Sequence, residues 1–430
     1  MKIRSTLLSF VLISAIAIPA IGQTTPLLVS PEKSGLSAAR LKTIDRVLNE
    51  YVTRKEVAGG VALIARKGQI GYLKSFGMKD METNQTMTND VIFRIASMTK
   101  AVTNVAVMML FEEGYFALDD PISKFIPEFS EMQVMVTDPE TRTYKLEKAK
   151  TPITIRHLLN HTSGLTYDIF GQAHIYDMYV QNNIYNGLGV TTGTIGDMAK
   201  RLAKLPLTSQ PGDKWQYGMN MDVLGYLIEK ISGKSFDAFL NEKIFVPLGM
   251  TDTYFYLPGE KLNRLATLYG LDASGQLAKI KGEAKVGPVP YSDYTVHANN
   301  KTYFSGGAGL VSTATDYFKF LQMLLNDGLY NNKRILGRKT VELMTTEQTG
   351  DKFNWTKGYG FGFGFAISRG PENTGNPGSK GAYTWSGIFD THFVADPSED
   401  LVIILMTQTF PNNTDIEVKF KNLAYQAIGN

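Results

Sequence analysis

Phe93-Arg94-Ile95-Ala96-Ser97-Met98-Thr99-Lys100 runs directly into the apolar stretch Ala101-Val102-Thr103-Asn104-Val105-Ala106-Val107-Met108-Met109-Leu110. The apolar positions keep helical spacing up to Gly114, a residue suited to the left-handed turn that ends a helix. Residues three apart share a helix face, so the Ser97 hydroxyl and the Lys100 amine point into one space. A serine hydroxyl is a weak nucleophile until a neighbouring base takes its proton, and a lysine on the same face can be that base. The N–H groups at the start of the same helix can hold a developing oxyanion.

The spacing Ser-x-x-Lys is short, and about one or two copies are expected by chance in an average chain of this length. A second copy, Ser30-Pro31-Glu32-Lys33, contains a proline that suits an extended segment rather than a helix interior. The bland alternative at Ser97 is a helix N-cap, with Lys100 a surface charge. No Gly-x-Ser-x-Gly occurs, which removes the strand-to-helix nucleophile elbow. His157 and His161 have the i, i+4 spacing of a helical metal pair, but no obvious third ligand accompanies them. A glycosidase carboxylate pair stays open, since nothing marks one among 41 acidic residues.

Composition bounds the alternatives. The 430 residues, 43% hydrophobic and 20% charged, suit a globular protein of one large domain or two to three ordinary ones. A net charge of +3 without a basic run gives no reason to expect nucleic acid. The absence of cysteine removes disulfides, thiolate chemistry and cysteine metal sites. Lys2 and Arg4, the short apolar stretch Leu7 to Ile18 and the small-x-small group Ala20-Ile21-Gly22 read as a signal peptide over residues 1–22. The expectation is an exported protein, periplasmic or secreted, that begins near Gln23 and has no further membrane span.

Along the chain, Leu41, Ile44, Val47, Leu48 and Tyr51 form a helical stripe with Ser37 as N-cap. Val61-Ala62-Leu63-Ile64-Ala65, the turn Lys67-Gly68 and Gln69 to Phe76 read as a hairpin. Residues 131–150 read as an exposed loop, 167–186 as an aromatic cap or pocket wall, and 253–304 resist placement. Helices are expected at 153–160, 194–205, 222–231, 236–244, 313–326 and 415–428. Strands are expected over 359–367, 383–394 and 401–407. Burying both sets of strands calls for an α+β fold: one antiparallel sheet flanked by the terminal helices, with a helical insertion. The expected division is a sheet domain of residues 23–95 and 301–430, a mainly helical domain of 96–300, and a cleft between them.

With three further segments, the Ser97 stretch resembles the serine β-lactamase and penicillin-recognising superfamily, closest to the class C β-lactamases and the family VIII carboxylesterases. Ile153-Thr154-Ile155-Arg156-His157-Leu158-Leu159-Asn160-His161-Thr162-Ser163-Gly164-Leu165 is similar to an internal signature of that superfamily, which favours structural histidines. Pro211-Gly212-Asp213-Lys214-Trp215-Gln216-Tyr217 resembles the approach to its second motif, and Ser305 to Asp316 with Trp385-Ser386-Gly387 fall where its later signatures lie. Two departures stand out. The lactamase Tyr-x-Asn is replaced by Tyr217-Gly218-Met219, with Asn220 one position late, and Lys-Thr-Gly is replaced by Trp385-Ser386-Gly387. Both resemble the esterase pattern.

The resemblance implies that Ser97 attacks an acyl carbon while Lys100 and Tyr217 share the base work. The Ser97 and Ile388 N–H groups would form the oxyanion hole, and Trp385, Ser386, Gly387 and Asn220 would meet the substrate. No metal or organic cofactor is implied. The indole in place of a cation favours small neutral esters. The alternatives are a β-lactamase or D-alanyl peptidase acting on amides, and a silent binding protein.

Overall fold

The structure is a computed structural model that describes residues 28–168, 170, 173–189, 192–286, 289–293 and 302–429. The expected signal peptide, residues 1–22, lies outside the described residues. Ser37 accepts a hydrogen bond from the Arg40 N–H and opens α1 (Ala38–Thr53), which buries Leu41, Ile44, Leu48 and Tyr51. β1 (Gly59–Arg66) and β2 (Gln69–Asp80) form the expected hairpin, closed by Lys67 and Gly68 at φ 54° and 72°. Positive φ at both corners gives the turn whose twist matches its strands.

β3 (Gln85–Thr86) completes the N-terminal part of the sheet. The C-terminal part supplies β4 (Tyr359–Phe361), β5 (Ala366–Ser368), β6 (Tyr383–Gly387), β7 (Thr391–Asp396) and β8 (Leu401–Met406). The order is β4-β5-β6-β7-β8-β1-β2-β3, every neighbouring pair antiparallel, and the two parts of the chain join along β1 and β8.

Strand alternation sends successive side chains to opposite cores. Val61, Leu63 and Ala65 face the larger core with Phe393, Val402, Ile404 and Met406. That core contains α2 (Thr99–Glu112), on which α3 (Asn220–Ser232) packs, and α4 (Ala314–Leu325). Ala62, Ile64, Val394, Ile403 and Leu405 face the other way, toward α1 and toward Ile416, Phe420 and Ala424 of α5 (Ile416–Gln426). With both faces covered, β1 reads as an unbroken apolar run rather than an alternation. α2 is buried on nearly every side, as a helix apolar all round should be. Among the described residues, no helix is long and apolar enough to cross a membrane.

Several local readings change. Residues 131–150 are not a loop: Gln133–Thr137 pairs with Tyr144–Lys148. Only Val134 and Met135 of that hairpin are buried, so its charged outer surface masks the strand pattern. The stretch 359–367 is two strands, because Gly364 at φ 89° turns the chain between β4 and β5. Likewise 383–394 divides at Asp390, φ 69°, into β6 and β7. Ser30 stands before a single 3-10 turn, Pro31–Ser34, which accepts proline at its first position. The described part of 253–304 contains the small hairpins Tyr269–Leu271 with Leu277–Lys279 and Glu283–Val286 with Val289–Ser292, so 96–300 is helical only in part.

Candidate active site

Ser97 is held from several directions. Phe93–Arg94 pairs with Val311–Ser312, and the Ile95 N–H donates to the Leu310 carbonyl. Ala96 then takes φ 41°, an uncommon conformation for a residue with a Cβ. Ser97 sits in the 3-10 turn Ala96–Met98, just ahead of α2. The Tyr317 hydroxyl donates to the Met98 carbonyl at 2.9 Å, which pins the end of that turn.

The expected pair meets. Lys100 Nζ lies 3.2 Å from Ser97 Oγ and donates to the Gly307 carbonyl at 2.6 Å. Its side chain is 1% exposed, so it is no surface charge. Burial pushes the amine well below its ordinary value, and the Asp222 charge opposes that shift. A neutral lysine can turn its lone pair to the serine hydroxyl while one N–H stays on Gly307.

Tyr217 closes the group. Lys100 Nζ lies 4.5 Å from the centre of its ring, and Trp385 Nε1 donates to Tyr217 Oη at 3.2 Å. Burial raises the phenol above its ordinary value, although hydrogen bonds from Ser97 and Trp385 favour the phenolate. Burial thus favours the protonated phenol, which places a hydroxyl donor beside Lys100. Its segment is fixed by the Gly212 and Gln216 N–H groups, which donate to the Thr162 and His161 carbonyls at 2.7 Å each.

Ser97, Tyr217 and Trp385 border a cavity of about 490 Å³. Tyr167, Phe170, Tyr217, Trp355 and Trp385 give it an aromatic wall, and Ser97, Ser386 and Ile388 line it too. Phe170 and Trp355 meet edge to face at 5.5 Å and are 46% and 49% exposed, so they stand at its mouth. Ile388 lies in the turn just after β6 rather than on a strand.

Two expected substrate contacts lie elsewhere. Asn220 is fully buried and outside the cavity lining: its amide donates to His161 Nδ1 at 2.7 Å and accepts from Ser163. Gly387 is also outside the lining, since a Cβ there would come 2.3 Å from the Ile95 carbonyl oxygen. It lets β6 approach the backbone that leads to Ser97.

The two histidines do not form a metal pair. His157 Nδ1 accepts from the Thr154 N–H in a capping box, while His161 packs among Trp215, Tyr217 and Phe361. Among the described residues, no group of three or more His, Asp or Glu side chains is arranged to hold a metal.

The sequence reading missed what stands behind Lys100. Asp222 on α3 is fully buried and accepts from the Ser305 hydroxyl at 2.8 Å. Burial raises this carboxyl above its ordinary value, while Ser305 and the Lys100 charge oppose the rise. A signal existed, because Asp222 is the one acid in the apolar stretch 219–228.

Comparison with known proteins agrees with this geometry. The sequence pattern of the family described as Beta-lactamase matches residues 44–428. Protein Rv1367c of Mycobacterium tuberculosis is 33% identical over 370 residues, 83% of this chain and 87% of that one. Esterase EstB of Burkholderia gladioli is 30% identical over 391 residues, 89% of this chain and 94% of that one. The structure of EstCE1, described as a hydrolase with promiscuous acyltransferase activity, superposes with a TM-score of 0.79 at 26% identity, covering 90% of this chain and 98% of its own.

Proposed function

The chain belongs to the beta-lactamase family and is a serine hydrolase, and from that premise we propose that it is an exported carboxylesterase forming an acyl-enzyme at Ser97. One observation carries this reading: a dehydrated Lys100 amine lies against the Ser97 hydroxyl, and the cavity beside them has aromatic walls that include Trp385.

Lys100 takes the Ser97 proton as the oxygen attacks the ester carbon. Tyr217, protonated and fixed by Trp385, stands ready to give a proton to the leaving alkoxide. The Ser97 and Ile388 N–H groups receive the oxyanion; water then attacks the acyl carbon and gives its proton to the Tyr217 phenolate, and the Ser97 oxygen leaves with the proton held on Lys100. An indole at position 385, where the resemblance places a lysine in the lactamases, offers an ester an apolar wall rather than a partner for a carboxylate. The cavity takes Ser97, Tyr167, Phe170 and Tyr217 from one part of the chain and Trp355, Trp385 and Ile388 from the other, which supports a cleft between the two parts.

Hydrolysis of p-nitrophenyl butyrate by the wild type and by Ser97→Ala tests the chemistry. The variant should lose nearly all turnover, and equal rates would remove Ser97 from the mechanism. Nitrocefin, a chromogenic β-lactam, separates the amide alternative: rapid turnover of it without ester hydrolysis would overturn the ester reading. Export is tested by N-terminal sequencing of the protein recovered outside the cytoplasm, with a start near Gln23 expected.

A further inference from the structure

Behind the reactive pair lies a group that the proton transfer just described does not use. Asp222 Oδ1 is held by Ser305, and buried Oδ2 lies where the Gly307 backbone N–H also favours the carboxylate. It faces Gly307, whose carbonyl accepts Lys100 Nζ. A Cβ built on Gly307 would lie 2.8 Å from Asp222 Oδ2, 2.6 Å from Tyr167 Oη and 3.5 Å from Lys100 Nζ. Carboxylate, phenol and amine thus converge on one small space that only a glycine leaves open.

Ser305 ties this loop to the carboxylate in a second way. Its hydroxyl donates to Asp222 and also accepts from the Ala308 N–H at 3.1 Å, so the Gly306-Gly307 segment is fixed relative to α3. A buried carboxylate is costly unless hydrogen bonds and a nearby charge compensate it. Lys100 is the cation at hand, although the two make no direct ion pair.

We propose that Asp222 is a positioning residue of the reaction: it holds the Gly307 carbonyl against Lys100 through Ser305, and its charge sets when Lys100 gives up its proton. The proposal rests on Lys100 being the base for Ser97. The charged and titratable groups facing the lysine are Asp222 from α3, Tyr217 from the segment before it, and Tyr167 and His161 from the loop after Ile155–Leu159. Tyr303 lies close enough to Asp222 to feel its charge. Burial keeps the tyrosines and His161 neutral around pH 7. Asp222 is therefore the one group of this set that can place a charge beside the amine.

The sign follows. Lys100 works in its neutral form, so reactivity rises as pH passes upward through its pKa. A carboxylate raises that pKa. Asp222→Asn keeps the shape and the acceptor for Ser305 but removes the charge, so the acid limb should move to lower pH.

The readout is the rate at which a fluorophosphonate labels Ser97 across pH, which requires no knowledge of the natural ester. Asp222→Asn should shift the acid midpoint down by about one pH unit or more. Ser305→Ala, which retains the carboxylate but frees its oxygen, should shift it the same way by less. Circular dichroism establishes that each variant is folded, and Ser305→Ala decides the matter if Asp222→Asn is not. An acid limb unchanged in the folded variants, even with a lower maximal rate, would overturn the proposal. No labelling of the wild type would instead remove Ser97 and Lys100 as the reactive pair.

Discussion

At Lys100 the chemistry depends on a single proton. The amine is buried, touches Ser97 Oγ, and is held below its ordinary value chiefly by loss of water. In the proposed mechanism the neutral amine is the active form, so kcat/KM for p-nitrophenyl butyrate should fall as pH drops through that depressed value, with an acid limb well below the ordinary lysine pKa of about 10.4. Lys100→Arg retains charge and reach but cannot deprotonate, so kcat should fall by about 10²–10⁴-fold at every accessible pH. Trp385→Phe asks a narrower question. It keeps an aromatic wall but removes the donor to Tyr217 Oη, a bond of about 1 kcal/mol, so kcat should drop by roughly five- to tenfold with little change in KM. A rise in KM with kcat unchanged would instead assign Trp385 to ground-state binding. The Ser97–Lys100 pair was legible because it rests on a local, three-residue spacing. Asp222 stood out only as the one acid of an apolar stretch; its place behind the lysine was not legible, since its partners Ser305 and Gly307 lie about eighty residues away and only folding brings them there.

The elements explain why the pair is so well fixed. β6 passes within contact of the Ile95 carbonyl, and only a glycine at 387 permits that approach. Gly387→Ala forces β6 away from the segment that sets Ser97, where Ala96 already holds φ 41°. A displacement near 1 Å costs about 10²-fold in rate, so kcat for the ester should fall by about that factor. The strand itself survives: urea unfolding should show a loss of about 1–3 kcal/mol. Full activity in Gly387→Ala would mean that β6 can shift without moving the nucleophile. Strand boundaries were the least legible part of the sequence for a related reason. Short turns containing Gly364 and Asp390 at positive φ reverse the chain, so β4 and β5, and β6 and β7, each read as one strand. Helices fared better, because Ser37 and Thr313 cap their helices through side chains visible in the sequence.

At the scale of the molecule, the sheet separates two jobs. Its inner face carries the core around α2 and the reactive group, while its outer face is covered by α1 and α5. The sandwich was legible from apolar runs at both ends of the chain, which need a common sheet to be buried. The α5 contribution to the cavity was not, because Glu417, Val418 and Lys421 reach it only once the helix is packed. This gives a paired test of the architecture. Leu48 on α1 and Phe420 on α5 are both buried in the outer core, and truncation to alanine should cost about 2–5 and 3–5 kcal/mol respectively. If the outer face served stability alone, both variants would keep wild-type kinetics below their unfolding temperature. Because α5 also borders the cavity, only Phe420→Ala should raise KM for p-nitrophenyl butyrate, with kcat close to wild type since Ser97, Lys100 and Tyr217 stand on other elements. Equal KM values in the two variants would confine α5 to a structural role, whereas a selective rise in Phe420→Ala would make the closing helix part of the substrate site.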